Sequence, residues 1–209
     1  MALQKRIRCM VMRAGTSKGV YLLENDLPQD PAEREQVILK IFGSPDPRQI
    51  DGLGGADPLT SKVAIIGPPS VEGADVDYTF GQVEIHEAKV HFNGNCGNIS
   101  AGVGPFAILM GLVKAREPVT TVRVYNTNSR KILVEEVPME DGEPAVYGDF
   151  AIPGVPGTGR ALQQAVQLRF KGIRIIHRCQ VLVPFHKINE YRLGVGITAL
   201  LFLSAIYKC

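Results

Sequence analysis

Cysteine is scarce and unpaired: Cys9, Cys96, Cys179 and Cys209 are the only four in 209 residues, and no two stand in a CxxC spacing. With His86 and His91 they make no zinc-ligand pattern, so no metal site is expected. Long hydrophobic runs are missing too. The longest, Leu193 to Ile206, has about 14 residues, against the roughly 20 that span a bilayer. Arg6 and Arg8 interrupt the apolar N-terminus, so it has no signal-peptide core. Helical and strand patterns do not alternate as a dinucleotide-binding sheet requires, and the glycine, lysine and hydroxyl order of residues 15–19 is not that of a phosphate-binding Walker loop. These absences point to a reducing cytoplasm and to no membrane partner.

Acids are missing from one end only. Residues 1–159 carry 15 Lys and Arg against 20 Asp and Glu, whereas residues 160–209 carry eight basic residues and the single acid Glu190. An acidic body with a basic tail ordinarily suggests a nucleic-acid or membrane arm. Hydrophobic content of 45% and charged content of 21% are those of an ordinary globular chain of one large or two small domains.

The most informative stretch runs from Asn93 to Val113. Small polar turn formers lead into Cys96, and an uncharged run follows that would make a helix apolar on every side, as expected of one enclosed by protein. A helix starting near Cys96 leaves the amides of Gly97 and Asn98 without intrahelical acceptors, which suits a reactive thiolate beside a substrate carboxylate. The competing reading is a buried structural cysteine.

Short β-prone runs, Ile7 to Val11 and Gly19 to Leu23, flank Arg13-Ala14-Gly15-Thr16-Ser17-Lys18, a turn whose hydroxyls, lysine and amides suit an anion. An ordinary hairpin with a solvated lysine is the alternative. Asp30 to Phe42 has an N-cap, a proline at the first helical position, an apolar stripe and a terminating Gly43, so it is a surface helix without chemistry. Arg48 to Ser61 is too rich in glycine for a regular element. Lys62 follows it at the mouth of the buried strand Val63 to Ile66, where a lysine either transfers protons or snorkels to water. Strands are expected at Val76 to Phe80, Gln82 to Ile85, Lys89 to Phe92, Thr120 to Tyr125, Lys131 to Glu136 and Ala145 to Phe150. Seven or eight strands and one apolar helix give an α+β fold, a strongly curved sheet wrapped round that helix.

Arg13-Ala14-Gly15-Thr16-Ser17-Lys18-Gly19, Gly43-Ser44-Pro45-Asp46, Arg48 to Gly55, Thr60-Ser61-Lys62-Val63-Ala64 and Asn95-Cys96-Gly97-Asn98 together resemble the landmarks of the PrpF-type isomerases, in order over about 150 residues. That family includes 2-methylaconitate cis–trans isomerase, 3-methylitaconate isomerase and 4-oxalomesaconate tautomerase. The resemblance implies a diaminopimelate-epimerase-like fold, in which two half-barrels, each a curved, mostly antiparallel sheet round a central helix, enclose a cleft. It also implies an isomerase of a small unsaturated di- or tricarboxylic acid that needs no metal and no organic cofactor. Lys62 matches the family's proton-transfer lysine and Cys96 its active-site cysteine. Thr16, Ser17, Lys18, Ser61, Gly97 and Asn98 are the expected carboxylate contacts.

The resemblance stops after Ala151 to Gly159, where the charge balance flips. Residues 1–159 are therefore expected to form one half-barrel, and 160–209 a divergent basic tail from a frame shift or truncation, the second domain being absent. Read so, the tail is no nucleic-acid arm, and self-association is left open. The alternatives are a non-catalytic interaction protein using that tail, or an amino-acid epimerase of the same superfold.

Overall fold

The computed structural model describes residues 4–167, 174–182 and 186–194. Eleven strands form one strongly curled sheet: β1 (Gln4–Ala14), β2 (Ser17–Leu23), β3 (Lys62–Gly67), β4 (Val76–Val83), β5 (Val90–His91), β6 (Val119–Asn126), β7 (Lys131–Glu140), β8 (Glu143–Pro144), β9 (Arg160–Gln167), β10 (Arg174–Leu182) and β11 (His186–Gly194). The order is β10-β9-β7-β6-β4-β3-β2-β1-β11, with β5 on β4 and β8 on β7, and the sheet curls until β10 meets β1 at Leu182 and Ala14. Pairings are antiparallel except β2 with β3 and β4 with β6. The expected α+β half-barrel is the observed fold.

Period-two alternation splits the apolar side chains between two cores. Met10, Met12, Tyr21, Ala64, Ile66, Tyr78 and Phe80 face the inner helices, whereas Ile7, Cys9, Val20, Leu22, Val63 and Ile65 face α1 (Pro31–Phe42). Strands β2 and β3 are thus covered on both faces. Helix α1 keeps the expected signals: the Asp30 carboxylate accepts from the Glu33 amide at 2.9 Å, Pro31 opens the first turn, and Gly43 closes the helix at φ 72°.

The inner helix is not continuous. It divides into α2 (Gly97–Ser100) and α3 (Val103–Leu109). Pro105 has no amide for the Ala101 carbonyl, and its ring excludes helical continuation there, so it is accommodated only in the first turn of α3. Gly102 at the break lies under the Tyr21 phenol, where an added Cβ would fall 2.3 Å from the hydroxyl.

Two strand expectations need correction. Val76 to Phe80 and the start of the run Gln82 to Ile85 form one strand, β4, which ends at Val83, and the segment Ala145 to Phe150 is irregular, with a lone bridge from Phe150 to Gly159. At Gly148 the backbone passes so close to Gly159 and Arg160 that a Cβ would lie 2.7 Å from the Gly159 carbonyl oxygen, which a regular strand of ordinary residues could not tolerate. Beyond the boundary expected at Gly159, β9 starts at Arg160 and pairs with β7 from Gln163↔Glu136 to Gln167↔Ile132. The apolar run past Gly194, and Cys209 with it, lies outside the described residues.

Candidate active site

The β1–β2 hairpin turns on two residues, Gly15 at φ 57° and Thr16, so Ser17 and Lys18 already belong to β2. Adjacent strand residues point to opposite faces. Ser17 is buried on the inner face, its hydroxyl 4.0 Å from Cys96 Sγ. The Asn98 amide nitrogen donates to Thr16 Oγ1 at 2.8 Å and lies 3.5 Å from Ser17 Oγ. The hairpin tip is therefore stitched to the start of α2. Asn126 completes the support, donating to Asn95 Oδ1 at 3.1 Å and accepting from the Ser129 amide at 2.7 Å.

Lys62 opens β3 opposite Gly19 of β2 and Gln82 of β4, on the inner face shared with Ala64, Tyr21 and Phe80. Its Nζ donates to Gln82 Oε1 at 2.6 Å and lies 5.5 Å from the centre of the Phe80 ring, close enough for cation–π attraction. Cys96 packs against the core that contains Phe80. The Phe80 backbone is held by one side chain: Asn128 accepts from its amide at 2.8 Å and donates to its carbonyl at 2.9 Å, and also to the Phe92 carbonyl at 2.6 Å.

Beneath α2 lies a chain of the buried polar side chains Ser100, Gln164 and Glu135. Ser100 donates to the Gly97 carbonyl at 2.9 Å and accepts from Gln164 Nε2 at 2.9 Å, which also donates to Glu135 Oε1 at 3.1 Å. Glu135 Oε2 accepts from the Gly104 amide at 2.8 Å in the first turn of α3. Burial pushes the Glu135 carboxyl up to about 8, although both of these donors favour its ionised form. Tyr21 adds a hydrogen bond from its hydroxyl to the Ile99 carbonyl at 2.7 Å.

Of the residues expected in the site, Thr16, Ser17, Cys96, Gly97 and Asn98 come together directly, and Lys62 lies on the same inner side of the sheet, over the Phe80 ring. Lys18 and Ser61 do not join them. Lys18 points to the other face of β2, where a Cβ on Gly55 would lie 3.2 Å from its Nζ, and the buried Ser61 hydroxyl donates to Gln49 Oε1 at 2.7 Å. Because α2 is a single turn, its dipole is small, and the Gly97 and Asn98 amides act as local donors. An open cavity of about 250 Å³ lies beside the hairpin tip, lined by Gly15, Thr16, Asn98 and Phe150 to Pro153; neither Lys62 nor Cys96 lines it. Among the described residues no group of three His, Cys, Asp or Glu is placed to hold a metal ion, and no helix is long and apolar enough to cross a membrane. Gln82, Asn128 and Gln164 were not anticipated. Alternation alone places Gln82 on the Phe80 face, but its pairing with Lys62 depends on a strand register that no local motif encodes.

Comparison with known proteins agrees with this frame. The PrpF protein family model matches residues 4–172. The 3-methylitaconate isomerase of Eubacterium barkeri is 65% identical over 155 residues, 74% of this chain and 41% of that protein. The 4-oxalomesaconate tautomerase of Pseudomonas putida is 54% identical over 159 residues, 76% of this chain and 44% of that protein. A crystal structure of methylitaconate-delta-isomerase superposes with a TM-score of 0.76 at 62% identity, covering 78% of this chain and 42% of the other. The named relatives are isomerases and a tautomerase. The chain belongs to the PrpF family. It spans about two fifths of the length of the curated relatives it matches.

Proposed function

We propose that this chain carries the proton-transfer half of an isomerase that moves a double bond, or rotates about one, in a small unsaturated di- or tricarboxylic acid of the 2-methylaconitate or methylitaconate kind. The observation that supports the reading most strongly is the shared inner side of the sheet: Lys62 Nζ lies over the Phe80 ring, Cys96 packs against the core to which Phe80 belongs, and the Ser17 hydroxyl is 4.0 Å from the thiol and 3.5 Å from the Asn98 amide nitrogen. The Lys62 amine takes a proton from the carbon next to the double bond, and the electron pair passes through that bond into the carboxylate as a dienolate. Returning the proton at the far carbon shifts the double bond. Returning it where it left, after rotation, exchanges cis for trans. Cys96 or Lys62 supplies that proton. The Ser17 hydroxyl, the Asn98 amide and the Gly97 backbone amide stabilise the added charge on carboxylate oxygen, a task for preorganised donors in a water-poor site.

This chemistry needs a base, an acid and hydrogen-bond donors, and the face carries all three, so the reading is cofactor-independent. Cys9 and Cys96 are free thiols, the state that a reducing cytoplasm maintains. In this reading residues 1–159 carry the chemistry, and residues 160–209 are a divergent segment that contributes β9, β10 and β11 to the sheet and supplies Gln164 beneath α2. On the same reading, the part of the relatives' length that this chain does not span supplies a second wall to the cleft. The test is turnover of 3-methylitaconate and 2-methylaconitate by this chain and by a chimera joining residues 1–159 to the remainder of the methylitaconate isomerase. Turnover by the chimera at least about 100-fold above that of the chain alone is expected, because one lost oxyanion donor already costs that much. A chimera inactive on both acids contradicts the reading.

A further inference from the structure

Lys62 has only 8% of its surface exposed, yet no ion pair joins it among the described residues. A buried ammonium is ordinarily paired with a carboxylate. Here its polar partner is the neutral amide of Gln82, directly opposite on β4, and its other neighbour is the Phe80 ring. The orientation of that amide is fixed. Gln82 Nε2 donates to the Ser61 carbonyl at 3.0 Å and the Pro58 carbonyl at 3.2 Å, two groups that only accept, so Oε1 must face Lys62.

We propose that Gln82 is the positioning residue for Lys62, a neutral acceptor that aims the amine. Three parts of the arrangement support this. The amide is anchored at both of its N–H groups, so its oxygen is presented at a set place. With one hydrogen of Nζ committed to Oε1, the remaining hydrogens or the lone pair are directed away from β4, and the ring of Phe80 bounds them on one side. A carboxylate at the same place would pair with the ammonium and keep it protonated, and an apolar side chain would leave Nζ without its acceptor. The loop that delivers Ser61 and Pro58 is itself braced, because Gln49 Oε1 accepts from Ser61 Oγ at 2.7 Å and from the Ala56 amide at 2.8 Å while its nitrogen donates to Ser44 Oγ at 2.9 Å. The line from Gln49 through Ser61 to Gln82 thus ends on Lys62.

The inference rests on Lys62 being the proton carrier, and its test needs no turnover. The full chain and its Gln82→Glu and Gln82→Met variants are acetylated with acetic anhydride at a single pH near 8, and modification of Lys62 is read by mass spectrometry against the exposed Lys40. Only the unprotonated amine reacts. Gln82→Glu should slow labelling of Lys62 at least about tenfold, because an adjacent opposite charge favours the ammonium. Gln82→Met should speed it several-fold. Were Gln82 merely a structural brace, either change would loosen the loop and speed labelling in both variants, and that outcome, or no change in either, overturns the proposal. If Gln82→Glu does not fold, as checked by thermal unfolding, Gln82→Asp carries the same charge and the same expected direction. Opposite shifts in labelling, combined with catalysis that survives loss of Lys62, would uphold the positioning and refute the proton-transfer reading alone.

Discussion

Gly19 and Lys62 stand directly opposite each other on the parallel strands β2 and β3, and a methyl group on Gly19 would lie 2.9 Å from the Lys62 carbonyl oxygen and 2.9 Å from Ile99 Cδ1 of α2. The absence of a side chain here lets α2, with Cys96 just before it, settle onto the strand that begins with Lys62. A backbone oxygen cannot move aside as a flexible side chain can. Gly19→Ala should cost about 1–3 kcal/mol, the usual range for overpacking, measured as a shift of the urea midpoint at unchanged slope. A midpoint equal to wild type would show that α2 is free to move off the sheet.

Cys9 and Cys96 should react very differently. Cys9 is buried in the outer core, and burial pushes its thiol up to about 12, whereas Cys96 is half-buried beside exposed Gly97. Alkylation with iodoacetamide at pH 8, followed peptide by peptide, should modify Cys96 at least about tenfold faster than Cys9, since the thiolate is the nucleophile and access limits the rest. Equal rates would make Cys96 a structural cysteine.

Glu135 gives the fold a pH dependence of definite sign. Its carboxyl titrates at about 8 in the folded chain, against an ordinary value of 4.5. Between those values the folded state holds a proton that the unfolded state has released, so stability falls as pH rises through the window and levels off above it. Wild type should lose more stability than Glu135→Gln between pH 5 and 8, by a difference on the order of a few kcal/mol in urea unfolding. Parallel pH profiles would mean that the two N–H donors keep Glu135 ionised in the fold.

Tyr78 is fully buried, and its hydroxyl has no hydrogen-bond partner among the described residues. Removing an unsatisfied polar group spares its desolvation cost, so Tyr78→Phe should leave stability unchanged or raise it by about 1 kcal/mol. A loss of that size would reveal a bond that the hydroxyl makes in solution.

Local signals made the frame legible. The cap, proline and glycine round α1 define it from Asp30 to Gly43, and the charge-free run after Cys96 marks the enclosed helix. Pro105 carried the warning that this helix divides, a warning outweighed by the uniform apolarity around it. Side-chain direction was harder to read at the hairpin. Thr16, Ser17 and Lys18 look like one anion-binding turn, but a two-residue turn puts Ser17 and Lys18 in a strand and sends them to opposite faces. Ser61 is a similar case, next to Lys62 in sequence and turned away from it in the fold. Gln82, Asn128 and Gln164 lay beyond sequence reading, because each acts through a pairing 20 or more positions away.

The central claim is that Lys62 moves the proton, and solvent-deuterium incorporation into the acid measures that step without requiring net isomerisation. In the chimera joining residues 1–159 to the remainder of the methylitaconate isomerase, Lys62→Ala should reduce deuterium uptake into 3-methylitaconate at least about 100-fold, as expected for loss of a general base, with the thermal unfolding midpoint preserved. Uptake within about threefold of the unmutated chimera would remove Lys62 from the mechanism and contradict the account.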